Sequence, residues 1–272
     1  MSWITARRRH PAAGYVILVL GLLLVGAVYA SVTGAGSGAS AAPPATTDSA
    51  LVSAGQRIFM QTCSACHGEF AQGTSQGPGL IGVGSAAVDF QVSTGRMPAA
   101  EQGAENSRKP PRLTPKQTRE VADYIGSLGG GPATPSDAQV STAGANVGLG
   151  QQLFSANCSA CHNFVGAGGA LTYGKFAPAL TQSTNRQIYE AMQTGPEAMP
   201  VFNDTTITPS EKRDIIAFVT ETRTQPNPGG FSLGRVGPGT EGLVAFLGVL
   251  LFMVLMAMWI TGKKKGHNGE ES

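Results

Sequence analysis

"CSACHGEF" at residues 63–70 has a near twin in "CSACHNFV" at residues 158–165. The two copies hold all four cysteines of the 272-residue chain and two of its four histidines. The likeness spreads outward from them. Upstream, "AGQRIFMQTCSACH" (54–67) aligns without gaps to "LGQQLFSANCSACH" (149–162), with eight of 14 positions the same. Downstream, "GPGL" (77–80) answers "APAL" (177–180), and "TGRMP" (94–98) answers "TGPEAMP" (194–200). Finally "LTPKQTREVADYIGSL" (113–128) answers "ITPSEKRDIIAFVTET" (207–222). The order is the same in both halves, so the chain reads as a tandem duplication.

The outer segments of each repeat read as helices. Thr114 and Thr208 are N-caps with proline at the first helical position. Val121, Ile125 and Leu128 share one face, as do Ile215, Phe218 and Val219. Between the helices the chain is rich in glycine and proline, with little strand patterning. The expected fold is therefore mainly α, with two tandem domains at 51–130 and 147–226. A unit of about 75 residues is short of apolar core, and a staple is expected. Residues 33–50, 131–146 and 227–240 have the composition of spacers.

Charged residues are 13% of the chain, and much of the hydrophobicity sits in two runs. These are "YVILVLGLLLVGAVYASV" (15–32) and "LVAFLGVLLFMVLMAMWI" (243–260), 18 uncharged residues each. As helix, such a run is about 27 Å long, close to one hydrocarbon core. Arg7, Arg8 and Arg9 precede the first, and Lys263, Lys264 and Lys265 follow the second. The positive-inside rule puts both ends in the cytoplasm and the repeats on the outer face. Residues 241–262 read as a transmembrane helix and 263–272 as a cytoplasmic tail. Residues 1–32 are either a retained anchor, making the chain multi-pass in the cell membrane, or a cleaved signal. Between Thr33 and Thr240 there are 13 basic and 14 acidic residues, so no nucleic-acid partner is indicated.

Cys-x-x-Cys-His is the attachment pattern for c-type haem. Cysteines three apart lie on one helical face, where both sulfurs form thioethers, and the next residue turns its imidazole to the iron. Cys63, Cys66 and His67 would hold one haem and Cys158, Cys161 and His162 a second. The macrocycles would supply the missing core. A zinc site gives no reason for a histidine directly after each pair. A redox dithiol calls for a thioredoxin-like pattern that is not visible. Structural disulfides would need neither histidine.

The remaining histidines, His10 and His267, lie in the cytoplasmic ends, so a second axial ligand must be something else. Met60 sits three residues before Cys63, and Met192 has no counterpart in the first repeat. Met97 and Met199 occupy matching places, each before a proline, and are the expected ligands. His/Met ligation raises the potential and fills both axial positions, which suits electron transfer. Pro78 and Pro178 either simply turn the chain or also offer carbonyls to the histidine Nδ1–H groups.

These residues resemble class I cytochromes c over about 75 residues in each half. The whole arrangement resembles the dihaem cytochrome c subunit of the actinobacterial cytochrome bc1 complex, the menaquinol–cytochrome c reductase. That resemblance implies two covalent c-type haems and partnership with cytochrome b and the Rieske iron–sulfur subunit. It also implies a supercomplex with an aa3-type oxidase, and an electron carrier within a redox-driven translocase rather than a catalyst alone. The rival readings are a dihaem subunit of a cbb3-type oxidase, a dihaem peroxidase or dehydrogenase, and a soluble carrier. The C-terminal run opposes the first and the last. The halves differ between the methionine and the last helix, with 16 residues at 98–113 against eight at 200–207. The longer loop carries Arg108, Lys109 and Arg112 and reads as solvated, with docking on a neighbouring subunit as the alternative.

Overall fold

The computed structural model describes residues 13–34, 49–101, 103, 105–225, 233 and 237–267. The basic flank Arg7–Arg9 and most of the expected spacers at 33–50 and 227–240 lie outside them, as do residues 268–272. The chain divides into two compact units, one up to Thr46 and one from Thr47.

The first unit contains helix α1, Ala13–Gly34. Its described side chains, Tyr15–Val28, are all exposed. The second unit ends in helix α11, Pro238–His267. Gly239–Gly262 within it is long and apolar enough to cross a membrane, and the only such segment among the described residues. Tyr15–Val28 is apolar but shorter.

In sequence the two repeats come between these helices, and they are mainly helical. In the first, helix α2 (Ser49–Thr62) runs into a single turn, α3 (Ser64–His67), followed by α4 (Ser85–Ser93) and α5 (Pro115–Ser127). In the second, α7 (Val147–Asn157) runs into α8 (Ser159–His162), followed by α9 (Asn185–Thr194) and α10 (Pro209–Thr224). A two-stranded antiparallel ribbon, β1 (Gly169–Ala170) with β2 (Phe176–Ala177), is an addition of the second repeat.

Both expected N-caps form. Thr114 and Thr208 each make a reciprocal capping box, with Gln117 and Glu211 three residues on. Such caps contribute about 0.5–2 kcal/mol each. In each repeat the first and last helices cross at a glycine. A Cβ on Gly55 would lie 1.9 Å from the Glu120 carbonyl oxygen, and one on Gly150 would lie 1.9 Å from that of Asp214. The close approach brings aromatic rings together beneath it. Phe59 meets Tyr124 at 5.4 Å, and Phe154 meets Phe218 at 5.3 Å between centroids. Two equivalent cores follow, one around Phe59, Val121 and Ile125 and the other around Phe154, Ile215 and Val219.

The repeats are not beads on a string. Helix α4 of the first packs on α9 of the second. Ser93 Oγ accepts from Gln187 Nε2 at 3.2 Å across this seam. The loop at 98–113, expected to be solvated or to meet a neighbouring subunit, docks instead on the second repeat. Arg108 donates to Gln187 Oε1 at 3.0 Å and to Ser183 at 3.4 Å, and the Asn106 N–H donates to Glu197 at 2.8 Å. The 131–146 segment differs from a free spacer as well. It forms a capped turn, α6 (Asp137–Val140), held to the second repeat. Arg186 donates to Asp137 at 2.7 Å and to the Pro135 carbonyl, and Asn185 donates to the Val140 carbonyl at 3.1 Å. These contacts lie 45 or more residues apart in sequence, out of reach of local composition.

Candidate haem sites

Each site begins at the junction of two helical segments. Cys63 and Cys158 have nearly the same backbone, φ −118° with ψ −31° and −32°, which kinks the helix while keeping it wound. The His67 N–H donates to the Cys63 carbonyl at 3.0 Å, and the His162 N–H to that of Cys158 at 2.9 Å. One helical turn therefore carries cysteine, cysteine and histidine in both repeats. Gly68 (φ 82°) and Asn163 (φ 61°) then turn the chain away.

The histidines are buried and held by prolines. His67 Nδ1 lies 2.7 Å from the Pro78 carbonyl oxygen, and His162 Nδ1 lies 3.0 Å from that of Pro178. A carbonyl only accepts, so Nδ1 carries the proton and Nε2 keeps its lone pair. That fixes tautomer and ring orientation, the usual support for a histidine on a metal. Burial lowers the pKa of His162, partly opposed by the Pro178 hydrogen bond, which favours the neutral, ligating form.

No disulfide joins the cysteines. Burial, and after it the charge of the neighbouring cysteine, pushes the thiols of Cys63 and Cys158 up to about 11. Thiols so raised are poor redox dithiols, which work as thiolates. Among the described residues no cluster of three or more cysteine, histidine or carboxylate side chains forms a metal site.

The second repeat opens a deep cleft beside Cys158, Cys161 and His162. It encloses about 1130 Å³ of empty space, the solvent at its mouth included. Its walls are apolar: Phe154, Leu171, Phe176, Ile188, Ile215 and Val219 contribute, and Met199 and Phe202 line it too. A flat apolar macrocycle with two thioether bonds at one wall fits these residues. Met199 shares this cleft with His162, and Met97 packs against the first core alongside Cys63 and Leu80. Met192 also lines the cleft but is only 2% exposed within the core, and Met60 is exposed on α2. Four lining residues come from the other repeat: Phe90, Arg96, Glu105 and Arg108. Sequence reasoning missed them, and the only trace of them is the basic character of the longer loop.

This cleft, and the same Cys-x-x-Cys-His turn with its proline-held histidine in the first repeat, define a dihaem c-type cytochrome. The comparisons agree: a family model described as cytochrome c matches residues 52–129. A second, described as cytochrome C oxidase, cbb3-type, subunit III, matches residues 145–219. Similarity to curated proteins extends much further. The cytochrome bc1 complex cytochrome c subunit of Corynebacterium efficiens is 41% identical over 267 residues, covering 93% of this chain and 89% of that one. Its counterpart in Mycobacterium tuberculosis H37Rv is 40% identical over 260 residues, covering 93% and 92%. The chain belongs to this family, the cytochrome c subunits of cytochrome bc1 complexes. The Cbb3-type cytochrome c oxidase subunit CcoP of Rhodobacter capsulatus is 37% identical over 95 residues, covering 31% of each chain.

Proposed function

We propose that the chain is the membrane-anchored electron relay of a quinol–cytochrome c reductase. It takes electrons from the Rieske iron–sulfur subunit, beside cytochrome b, and delivers them to an aa3-type oxidase held in the same assembly. In this reading it carries electrons for a redox-driven translocase and is no catalyst by itself. The observation that carries the reading is the matched pair of Cys-Cys-His turns, each with its own core, in one chain related over its length to bc1 subunits.

The assigned ligands are His67 with Met97 and His162 with Met199. Cys63 and Cys66 anchor the first haem, and Cys158 and Cys161 the second. Each haem, when bound, supplies an iron that takes up and gives back one electron. The chain does the rest. The Pro78 and Pro178 carbonyls aim the imidazoles and the apolar walls of the second cleft exclude water, and an iron held by both histidine and methionine would leave no place for substrate. That last point disfavours the peroxidase or dehydrogenase reading. We place the haem domains at 51–130 and 147–226 on the outer face. The chain is anchored by 241–262 and, where the N-terminal run is retained, also by 1–32. The C-terminus is then cytoplasmic. Holding both carriers on anchored chain replaces diffusion of a soluble carrier by a high effective concentration.

The cbb3 resemblance covers one domain and speaks for the fold alone. Gentle solubilisation of membranes tests the reading. The chain should co-elute with cytochrome b and a Rieske protein, with an aa3 oxidase in the largest fraction. Isolation with cbb3 subunits, or alone with peroxidase activity, would refute it.

A further inference from the structure

Arg96 and Met97 are consecutive residues that serve different repeats. Met97 packs in the first repeat, whereas Arg96 lines the cleft of the second. Arg96 is 6% exposed, and its Nε has no hydrogen-bond partner. Glu197 Oε1 is 3.6 Å from it, close enough for an ion pair but too far for a hydrogen bond, so the Nε donor itself stays unused. The guanidinium lies 5.0 Å from the centre of the Phe90 ring, which holds it in place. A buried guanidinium with an unused donor is costly unless something anionic completes it.

Arg108 lines the same cleft, steadied by Gln187 and Ser183, and its five-donor fork has N–H groups to spare. Among the described residues that line the cleft, the second repeat supplies no cation; its Lys175 stands outside that lining, beside Glu105. Among its described lining residues the one charged side chain is Glu197. Glu197 accepts from the Asn106 N–H at 2.8 Å, and Glu105, the other acid at the cleft, lies 3.9 Å from Lys175. A haem carries two propionates as well as the vinyl groups that the cysteines take. Carboxylates at the rim of an apolar cleft need cationic partners, and arginine meets them in bidentate fashion.

We propose that Arg96 and Arg108 of the first repeat bind the propionates of the second haem, so that one repeat completes the cofactor site of the other. This rests on the reading of the second cleft as a haem site. The consequence is electrostatic. Two cations beside the propionates offset negative charge that favours the oxidised iron, and they hold the second haem's midpoint potential up. The segment that carries a ligand of the first haem thereby also sets the potential of the second.

The test is a redox titration of the full chain in its membrane complex, with haem content checked in every variant. Met97→His exchanges thioether for imidazole and moves the first haem's wave down, leaving the second as the high-potential wave. In that background Arg96→Gln and Arg108→Gln should each lower the remaining wave, and the double variant should lower it further. Arg96→Lys should keep it near the parent value. If neither glutamine variant moves that wave, or if Arg96→Lys lowers it as far as Arg96→Gln, the proposal is overturned. Should Met97→His fail to separate the waves, the ligand assignment fails, but the proposal is still decided without it. With the parental Met97, the sum of the two midpoints must fall in both glutamine variants and recover in the lysine variant. An unchanged sum overturns the propionate site by itself.

Discussion

Replacing Gly150 by alanine adds one methyl group at the crossing of α7 and α10. The new Cβ would lie 1.9 Å from the Asp214 carbonyl oxygen, 2.4 Å from its carbon and 3.1 Å from the Ile215 nitrogen. Carbon and oxygen rest at roughly 3.3 Å, so the helices must part by about 1.4 Å at this point. The obstacle is backbone on both sides, and no side chain can swing aside. Separation also draws Phe154 from Phe218, and gaps of about 0.5–1 Å forfeit a quarter to a half of the dispersion at a contact. Overpacking of this kind costs about 1–3 kcal/mol or more, against a helix-propensity gain of about 1 kcal/mol. Gly148, two residues earlier on the same helix, is the control. Its Cβ would meet nothing nearer than Asn146 Oδ1 at 3.5 Å, an ordinary contact. Gly148→Ala should therefore be neutral or gain up to about 1 kcal/mol. In thermal unfolding of the purified holo-chain, followed by far-ultraviolet circular dichroism, the two variants should melt roughly 2–12 °C apart, Gly150→Ala lower. Equal melting of the two, or Gly150→Ala melting like the parent, would refute the close-crossing argument. Gly55→Ala, facing the Glu120 carbonyl at 1.9 Å, should behave as Gly150→Ala does.

Met97→Ala and Met199→Ala should each remove the sulfur-to-iron absorption band of one haem at the red end of the visible spectrum; an unchanged band in both overturns the ligand assignment. Glu190 sits fully buried on α9, and burial, followed by the hydrogen bond and charge of the facing Asp89 carboxyl, pushes it up to about 10. The folded chain then keeps a proton that the unfolded chain releases from about pH 4.5 upward, so this group's share of stability is complete below that and declines as pH rises toward about 10. Glu190→Gln has no proton to lose: its denaturation midpoint should match the parent in mild acid and exceed it near about pH 8, and parallel pH profiles would contradict the assignment. Lys212 is fully buried with Nζ 2.6 Å from Asp204. Asp204→Ala should therefore destabilise more than Lys212→Met, since it strands the ammonium instead of removing it; urea denaturation gives the order.

What the sequence disclosed was whatever the duplication wrote twice in local form. The capping boxes at Thr114 and Thr208, the cysteine turns and the prolines behind the histidines are short-range patterns, and each recurs at a matching place. The seam between the repeats was hidden for physical reasons. Helix α4 is buried on two sides, with Val88 and Val92 in its own core and Asp89 and Phe90 also covered, so "SAAVDFQVS" has no single apolar face to read. Asp89 and Glu190 look like surface residues until the second helix arrives. Arg108 looks like a solvated loop residue because its acceptors, Ser183 and Gln187, lie 75 and 79 residues away. The glycine crossings are equally silent: Gly55 and Gly150 match, but nothing in the string says that a carbonyl stands 1.9 Å from where a Cβ would be.

Helices α4 and α9 are counterparts in the duplication, lying between the proline and the methionine of their own repeat, and they pack on each other. An interface that joins equivalent elements is of the isologous kind, the kind a two-fold symmetric dimer makes. Fusion into one polypeptide frees the two halves of that contact from being identical. Tyr189 and Glu190 stand where Asp89 and Phe90 stand in the first repeat, and one half alone has the extended basic loop. A pair of identical subunits would have to hold its two prosthetic groups in identical surroundings, whereas this covalent pseudo-dimer can give each a different one.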